Sequence, residues 1–478
     1  MENWFHNFTS MQTALTNGKT TSKKLAMEYL NRIANYDQKG PNINAVMEIN
    51  PDALHIAEAL DNERKQKGSR GPMHGIPVIV KDNIDTGDKM HTTAGSVALK
   101  DHYAKEDAFV VKQLRKAGAV IIGKANLTEW ANFMTEGMTN GYSSHGGQVL
   151  NPYGPGTFDV GGSSSGSAAA VASLFAAGAV GTETNGSILS PASRNSVVGL
   201  KPTVGLISRS GIIPISHSQD TAGPITRTVY DAALLLEALV GVDPKDSATE
   251  TSPLHFANTY LSSLNTYALQ GSRIGVERAF INDLSEEEKA VFDHALDDLK
   301  EQGAEIVEIT LPNRERESSV MFHEFKNGLN AYLSRCEPHL PVHSLKELIN
   351  YNWSHKEIAL KYDQTLLLQS EETSGDLTDS TYLLDRLEDI RTAQTEGIDS
   401  LMKEHQLDAL VSPNELGSNL PAIAGYPSIT VPAGYTETNR QPVGLTLTSS
   451  AFQEAKLLSL AYHYEQTRSV EHHIPYFE

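Results

Sequence analysis

The chain has 478 residues, with 39 basic and 59 acidic side chains and a net charge of −20. This length allows one large α/β domain or two to three smaller ones, and an acidic balance with no basic block argues against a nucleic-acid phosphate backbone as partner. The single cysteine, Cys336, excludes an intramolecular disulfide, fits a reducing compartment and reads as a small core residue rather than a nucleophile.

The N-terminal stretch MENWFHNFTSMQTALTNGK has no basic start followed by an apolar run, so no signal peptide is expected. Leu25, Tyr29, Leu30 and Ile33 fall at helical spacing behind a Thr/Ser cap, which predicts a helix from Thr21 to Tyr36. A second helix is expected from Pro51 to Lys65. After a Gly/Pro-rich turn comes IPVIV, Ile76 to Val80, a β-branched run of the kind found in strands buried on both faces, with Lys81 at its end. Helix Asp107 to Ala117, the strand AVIIG and a helical segment Ala125 to Phe133 follow, and this alternation argues for a mixed or parallel sheet covered by helices on both faces.

Residues 139–157 are rich in Gly, Asn, Ser and Pro and should be irregular. They lead into GGSSSGSAAAVASLFAAGAVGTETNGSILSPA, Gly161 to Ala192, whose small residues let backbone approach backbone. The apolar part, Ala168 to Val180, is too short to span a bilayer and reads as a buried helix. A helix is expected from Val229 to Val240, then a polar region from 251 to 405 with helices Ser285 to Gln302 and Leu383 to Lys403 and a strand between Ala304 and Pro312. The tail from Glu454 to Gln466 reads as a closing helix. No repeat and no low-complexity tract is present.

The Ser/Gly loop admits several chemistries. Gly162 to Gly166 spells G-x-S-x-G, which on an α/β-hydrolase would make Ser164 the nucleophile, but that elbow needs a buried strand before it and GPGTFDV is a poor one. A phosphate-binding loop needs G-K-[ST] after its glycines, where Ser-Ala-Ala stands instead. Each serine alone is also an ordinary turn or N-cap residue. Lys81 alone would read as a charge reaching water or paired with the adjacent Asp82. No HExxH motif or Cys/His cluster occurs, so no metal or other cofactor is expected, and His472–His473 reads as solvated tail.

Ser163 and Ser187 stand 24 residues apart, with Lys81 at an upstream strand end and GLKPT downstream, and in this combination the chain resembles the amidase signature family. The resemblance covers about residues 1–250 and 406–475. It implies a single domain over 1–478, an amidase-signature fold with a large mixed, mostly parallel sheet, and a variable helical insert at 313–405 forming part of the substrate pocket.

It implies a triad of Lys81, Ser163 and Ser187, in which a neutral lysine takes a proton through Ser163, on a cis peptide, and Ser187 attacks the amide carbonyl. The backbone N–H groups of Thr184, Asn185, Gly186 and Ser187 match that family's oxyanion hole. Neutrality of Lys81 near pH 7, against an ordinary value of about 10.4, costs about 4 kcal/mol.

The family's commoner motif has glycine, aspartate, glycine and arginine where this chain has Ser165, Glu183, Asn185 and Leu189. These departures resemble the branch of bacterial peptide amidases, which remove C-terminal amides from peptides. The expectation is therefore a cytoplasmic amidohydrolase, monomeric or homodimeric, acting on small-molecule or peptide amides without nucleic-acid or membrane partners. Primary amides with an apolar acyl side should lead. The competing readings are a component of a glutamine-dependent amidotransferase, an aryl or alkyl ester or carbamate hydrolase, and an idle binding scaffold.

Overall fold

The computed structural model describes residues 5, 7–252, 260–312, 318–470, 473–475 and 477. The start of the expected insert, 313–317, and His472 lie outside these. The strands are β1 (Val46–Ile49), β2 (Pro77–Lys81), β3 (Val120–Ala125), β4 (Tyr142–Ser143), β5 (Gly147–Gln148), β6 (Gly178–Glu183), β7 (Val198–Lys201), β8 (Thr221–Thr226), β9 (Arg273–Glu277), β10 (Glu305–Ile309), β11 (Ala409–Pro413), β12 (Ser428–Tyr435) and β13 (Pro442–Thr448). Eleven of them build one sheet in the order β1-β3-β2-β6-β8-β7-β12-β13-β11-β9-β10, and β4 with β5 forms a small hairpin inside the otherwise irregular 139–157 segment.

Every residue of β2, β3, β6, β7, β8, β11 and β13 is buried. A strand buried at both odd and even positions is covered on both faces, and within the eleven-stranded sheet only the edge strands β1 and β10 show exposed or half-buried positions along most of their length. The sheet is mixed and flanked by helices, as expected. Parallel pairing is confined to two blocks, β3-β2-β6 and β9 with β10 and β11, while the other six ladders are antiparallel. Parallel neighbours need a crossover, supplied by helices Phe109–Ala117 and Glu286–Glu301, whereas β12 returns to β13 through a short turn that permits only antiparallel pairing.

The early helices appear as Ser22–Arg32, continued by a wider π turn Ile33–Asp37, and Ala53–Lys67. Val229–Leu239, Glu286–Glu301 with a Ser285 capping box, and Glu454–Thr467 also follow the expected patterns. Other expectations change. The run Ala168 to Val180 is not one helix: helix Ser165–Ala172 ends early, Leu174 takes a left-handed turn at φ 58°, and the rest becomes β6. The run is apolar throughout because both halves are core, so its hydrophobicity could not mark the break.

Ala125 to Phe133 is likewise not helical beyond a short 3-10 turn, with Trp130 and Ala131 at φ 50° and 53°. The chain turns there so that the Thr128 N–H can donate to the Ser163 carbonyl at 3.1 Å.

The expected helix Leu383 to Lys403 is three pieces, Ser380–Asp389, a π stretch Ile390–Ile398 broken at Gly397, and Asp399–Glu404. Helix Val320–Leu333 packs Phe325, Leu329 and Leu333 against Ala98, Leu99, Phe133 and Ile213 in a second apolar cluster, distinct from the main core around the sheet. The 320–370 helices thus lie over the loops that leave β2 and β3.

Candidate active site

β2 and β6 are parallel neighbours, with Val80 opposite Val180, so their carboxyl ends reach the same edge of the sheet. In open α/β sheets that edge is where ligands bind. Lys81 is the last residue of β2, Thr182 and Glu183 close β6, and Ser187 lies in the turn just after. Ser163 precedes helix Ser165–Ala172, which feeds back into β6.

The backbones come together because Gly166 carries no Cβ, where one would meet the Ala45 oxygen at 2.3 Å and the Asn126 oxygen at 2.5 Å. Ser164 N–H donates to the Ser187 carbonyl at 3.1 Å and locks the two serine loops side by side. The Gly162–Ser163 peptide is cis.

Lys81 Nζ is fully buried and donates to Ser163 Oγ at 2.7 Å, Thr182 Oγ1 at 2.9 Å and the Thr182 carbonyl at 3.3 Å. Burial lowers its pKa to about 7, although Glu183 and Asp220 pull the other way. The pairing with Asp82 that its sequence position suggested is not made. Asp82 instead lies 3.6 Å from Lys124 and accepts from Thr93 N–H and hydroxyl.

An amine that loses one proton keeps two N–H groups and gains one lone pair. Thr182 supplies two acceptors for the N–H groups, which leaves the lone pair facing the Ser163 hydroxyl. Ser164, the alternative nucleophile, has its hydroxyl committed to the Thr182 carbonyl at 3.0 Å. The Ser187 hydroxyl has no hydrogen-bond partner among the described residues and is 6% exposed.

The turn before Ser187 is shaped by Glu183, whose buried carboxylate accepts from the N–H groups of Gly186 at 2.9 Å, Ile188 at 2.6 Å and Leu189 at 3.0 Å. Gly186 itself sits at φ 76°. Its N–H is therefore committed, a correction to the four-donor oxyanion hole. The N–H groups of Thr184, Asn185 and Ser187 have no acceptor among the described residues and remain available to an oxyanion. Asn185 anchors the turn through its side chain to Ser418 and Asn419.

Asn83, Thr182 and Asp220 carry no motif signal, and sequence reasoning does not single them out. Asn83 Nδ2 donates to Thr182 Oγ1 at 3.0 Å. Asp220, whose pKa burial raises to about 6, accepts from Thr184 Oγ1 and from the N–H groups of Ile215 and Ser216.

A cavity of about 230 Å³ adjoins this constellation through Asn83, Thr182 and Thr184, with Ile213 and Ile215 on one wall and Gly328 of helix Val320–Leu333 on another. Cys336, far from this chemistry in role, is buried with its thiol pushed up to about 12. His473 is exposed, and its carbonyl accepts from Tyr153 Oη at 2.6 Å.

The amidase family model matches residues 24–420. A probable amidase of Arabidopsis thaliana is 41% identical over 95% of this chain and 88% of its own length. The crystal structure of peptide amidase from Stenotrophomonas maltophilia matches with a TM-score of 0.92 at 42% identity, covering 99% of this chain and 98% of that one. A component of the glutamyl-tRNA(Gln) amidotransferase of Halorhodospira halophila is 33% identical over 97% of this chain and 98% of its own length. The chain belongs to the amidase family and is an amidase, a hydrolase of amide C–N bonds.

Proposed function

We propose that the chain hydrolyses primary amides, C-terminal peptide amides among them, through Lys81, Ser163 and Ser187. The observation that carries this reading is the fully buried Lys81, 2.7 Å from Ser163 Oγ and without an ion pair among the described residues. Neutral Lys81 takes the Ser163 proton as Ser163 takes that of Ser187, and Ser187 Oγ bonds to the amide carbonyl carbon. Negative charge that develops on the carbonyl oxygen is held by the N–H groups of Thr184, Asn185 and Ser187, where one donor is worth about 3–4 kcal/mol. The tetrahedral species collapses, the C–N bond breaks, and the leaving nitrogen receives the proton back along the same path. Water then attacks the acyl-Ser187 ester in the reverse proton sense and frees the acid.

The acyl group occupies the cavity beside Thr182, and the 313–405 insert, through helix Val320–Leu333, forms part of its wall. Among the described residues no helix is long and apolar enough to cross a membrane. The reading is of a cytoplasmic enzyme acting as monomer or homodimer. The match to an amidotransferase component supports a second reading, in which the ammonia is released for a partner chain.

Ammonia release from a panel of primary amides, peptide amides, anilides, esters and free glutamine, with the purified chain alone, separates the two. Turnover of peptide and small primary amides without a partner is expected. Preference for glutamine together with activity only when partner chains are added would overturn it.

A further inference from the structure

The cavity beside Thr182 takes two of its walls from distant parts of the chain. One is the stretch Ile213, Pro214 and Ile215, and the other is the face of helix Val320–Leu333 that carries Gly328 and Ala331. Glu324 stands at i to their i+4 and i+7, so the three share that face. The helix lies against the first wall so closely that a Cβ at Gly328 would meet Pro214 Cγ at 3.0 Å. Phe325, Leu329 and Leu333 hold the helix itself by packing into the second apolar cluster. Beyond Ile215 the first wall continues in side chains that are all polar, Ser216, His217, Ser218 and Gln219, before it reaches Asp220. Hydrogen bonds fix it there. Glu324, 1% exposed, accepts from the Ser216 hydroxyl, from Ser218 N–H at 3.0 Å and Ser218 Oγ at 2.9 Å, and from Tyr382 Oη of helix Ser380–Asp389 at 3.0 Å, with His217 Nε2 at 3.2 Å.

We propose that Glu324 is a positioning residue for acyl specificity: it joins the two walls of the cavity and so fixes the width that the substrate's acyl group must fill. This rests on the amidase reading above, with the acyl group seated in this cavity, and it names the substrates that gain from the joint: amides whose acyl group is bulky enough to touch both walls at once. A shorter acyl group spans neither wall to the other and is indifferent to their spacing. The wall keeps a second anchor without Glu324, because Asp220 accepts from Ile215 N–H, Ser216 N–H and Thr184 Oγ1 and holds the loop to the turn that carries Ser187. Removing Glu324 therefore loosens the acyl seat more than the reacting groups, and the loss falls on KM ahead of kcat.

The test measures kcat and KM separately for acetamide and for N-acetylleucine amide. Glu324→Ala should raise KM for N-acetylleucine amide by about 10-fold with kcat within about twofold, and should raise KM for acetamide by less than about threefold. Glu324→Gln should recover most of the difference, since serine hydroxyls accept from an amide as readily as they donate to a carboxyl oxygen. Ser216→Ala combined with Ser218→Ala removes the same bonds from the loop side and should reproduce the KM shift, which keeps the test open if Glu324→Ala does not fold. Equal losses on both amides would mean that Glu324 only maintains the fold, and an unchanged KM for N-acetylleucine amide would mean that the joint does not set the cavity. Either result, or native turnover of acetamide alone, overturns the proposal and leaves the amidase reading intact. Absence of ammonia release from both amides with the native enzyme overturns the two together.

Discussion

Two lysines lie fully buried on neighbouring strands, and their surroundings differ in a way that the proposed mechanism uses. Lys124 on β3 lies 3.6 Å from Asp82 and donates to the Ile84 carbonyl at 2.7 Å and Thr92 Oγ1 at 2.9 Å, so its charge is matched by a carboxylate buried with it. Among the described residues Lys81 on β2 donates only to hydroxyls and one carbonyl, with Glu183 and Asp220 acting from beyond ion-pair distance. Burial lowers both. In the proposed mechanism, what separates the base from a structural cation is that, among the described residues, no carboxylate lies at contact distance from Lys81, so desolvation meets no close compensating charge. The comparison can be broken by removing either lysine and asking whether rate or stability responds.

The largest effect belongs to the group proposed to form the covalent bond. Ser187→Ala should lower amide kcat by about 10⁴-fold or more, and a phosphonate or sulfonyl fluoride should label Ser187 in mass spectrometry of the native chain. A labelled peptide containing Ser164 but not Ser187 would contradict the assignment.

Next is the relay. Lys81→Arg should lose about 10²- to 10⁴-fold in kcat/KM, since guanidinium stays protonated and cannot act as base. Lys81→Ala combined with Ser163→Ala should cost little more than the worse single change, and ester hydrolysis should suffer less than amide hydrolysis, as the leaving group there needs less proton assistance. Losses that simply multiply would place Lys81 outside the relay.

Stability should respond in the opposite order. Lys124→Ala leaves Asp82 buried without its partner and should cost about 3–5 kcal/mol in urea denaturation, while the residual enzyme keeps its pH profile. For Lys81 the sign reverses. Its folded pKa of about 7 lies below the unfolded value, so between pH 7 and about 10.4 the unfolded chain holds more protons and stability rises with pH. Lys81→Met removes that burden and should stabilise the fold at pH 7 by up to about 4 kcal/mol, a gain that fades as pH approaches about 10. A Lys81→Met protein less stable than native at pH 7 would show that the lysine serves the fold. The smallest effect is at Cys336, where a buried thiol held up at about 12 should let iodoacetamide leave turnover unchanged.

Much of this was readable in the chain. IPVIV and AVIIG announce doubly buried strands through β-branched runs, and the proposed triad of Ser163, Ser187 and Lys81 is marked by spacing and context. The split of Ala168 to Val180 into helix and strand was hidden because both halves are equally apolar. Asn83 and Thr182 were missed for a different reason: a single Asn or Thr beside a strand end has no spacing rule, and its meaning arises only when β2 and β6 pair and bring both to Lys81. The committed N–H of Gly186 likewise depends on how the Glu183 side chain folds back over its own turn, which residue order does not reveal.

The central claim is that Lys81 works as a neutral amine, and the pH dependence of kcat/KM for a primary amide addresses it most directly. The account predicts a rate that rises with pH through a single apparent pKa of about 7 and then levels, because the active form is the deprotonated lysine. A rate still rising through about pH 10, at the ordinary lysine value, or one flat from about pH 5 to 9, would contradict it.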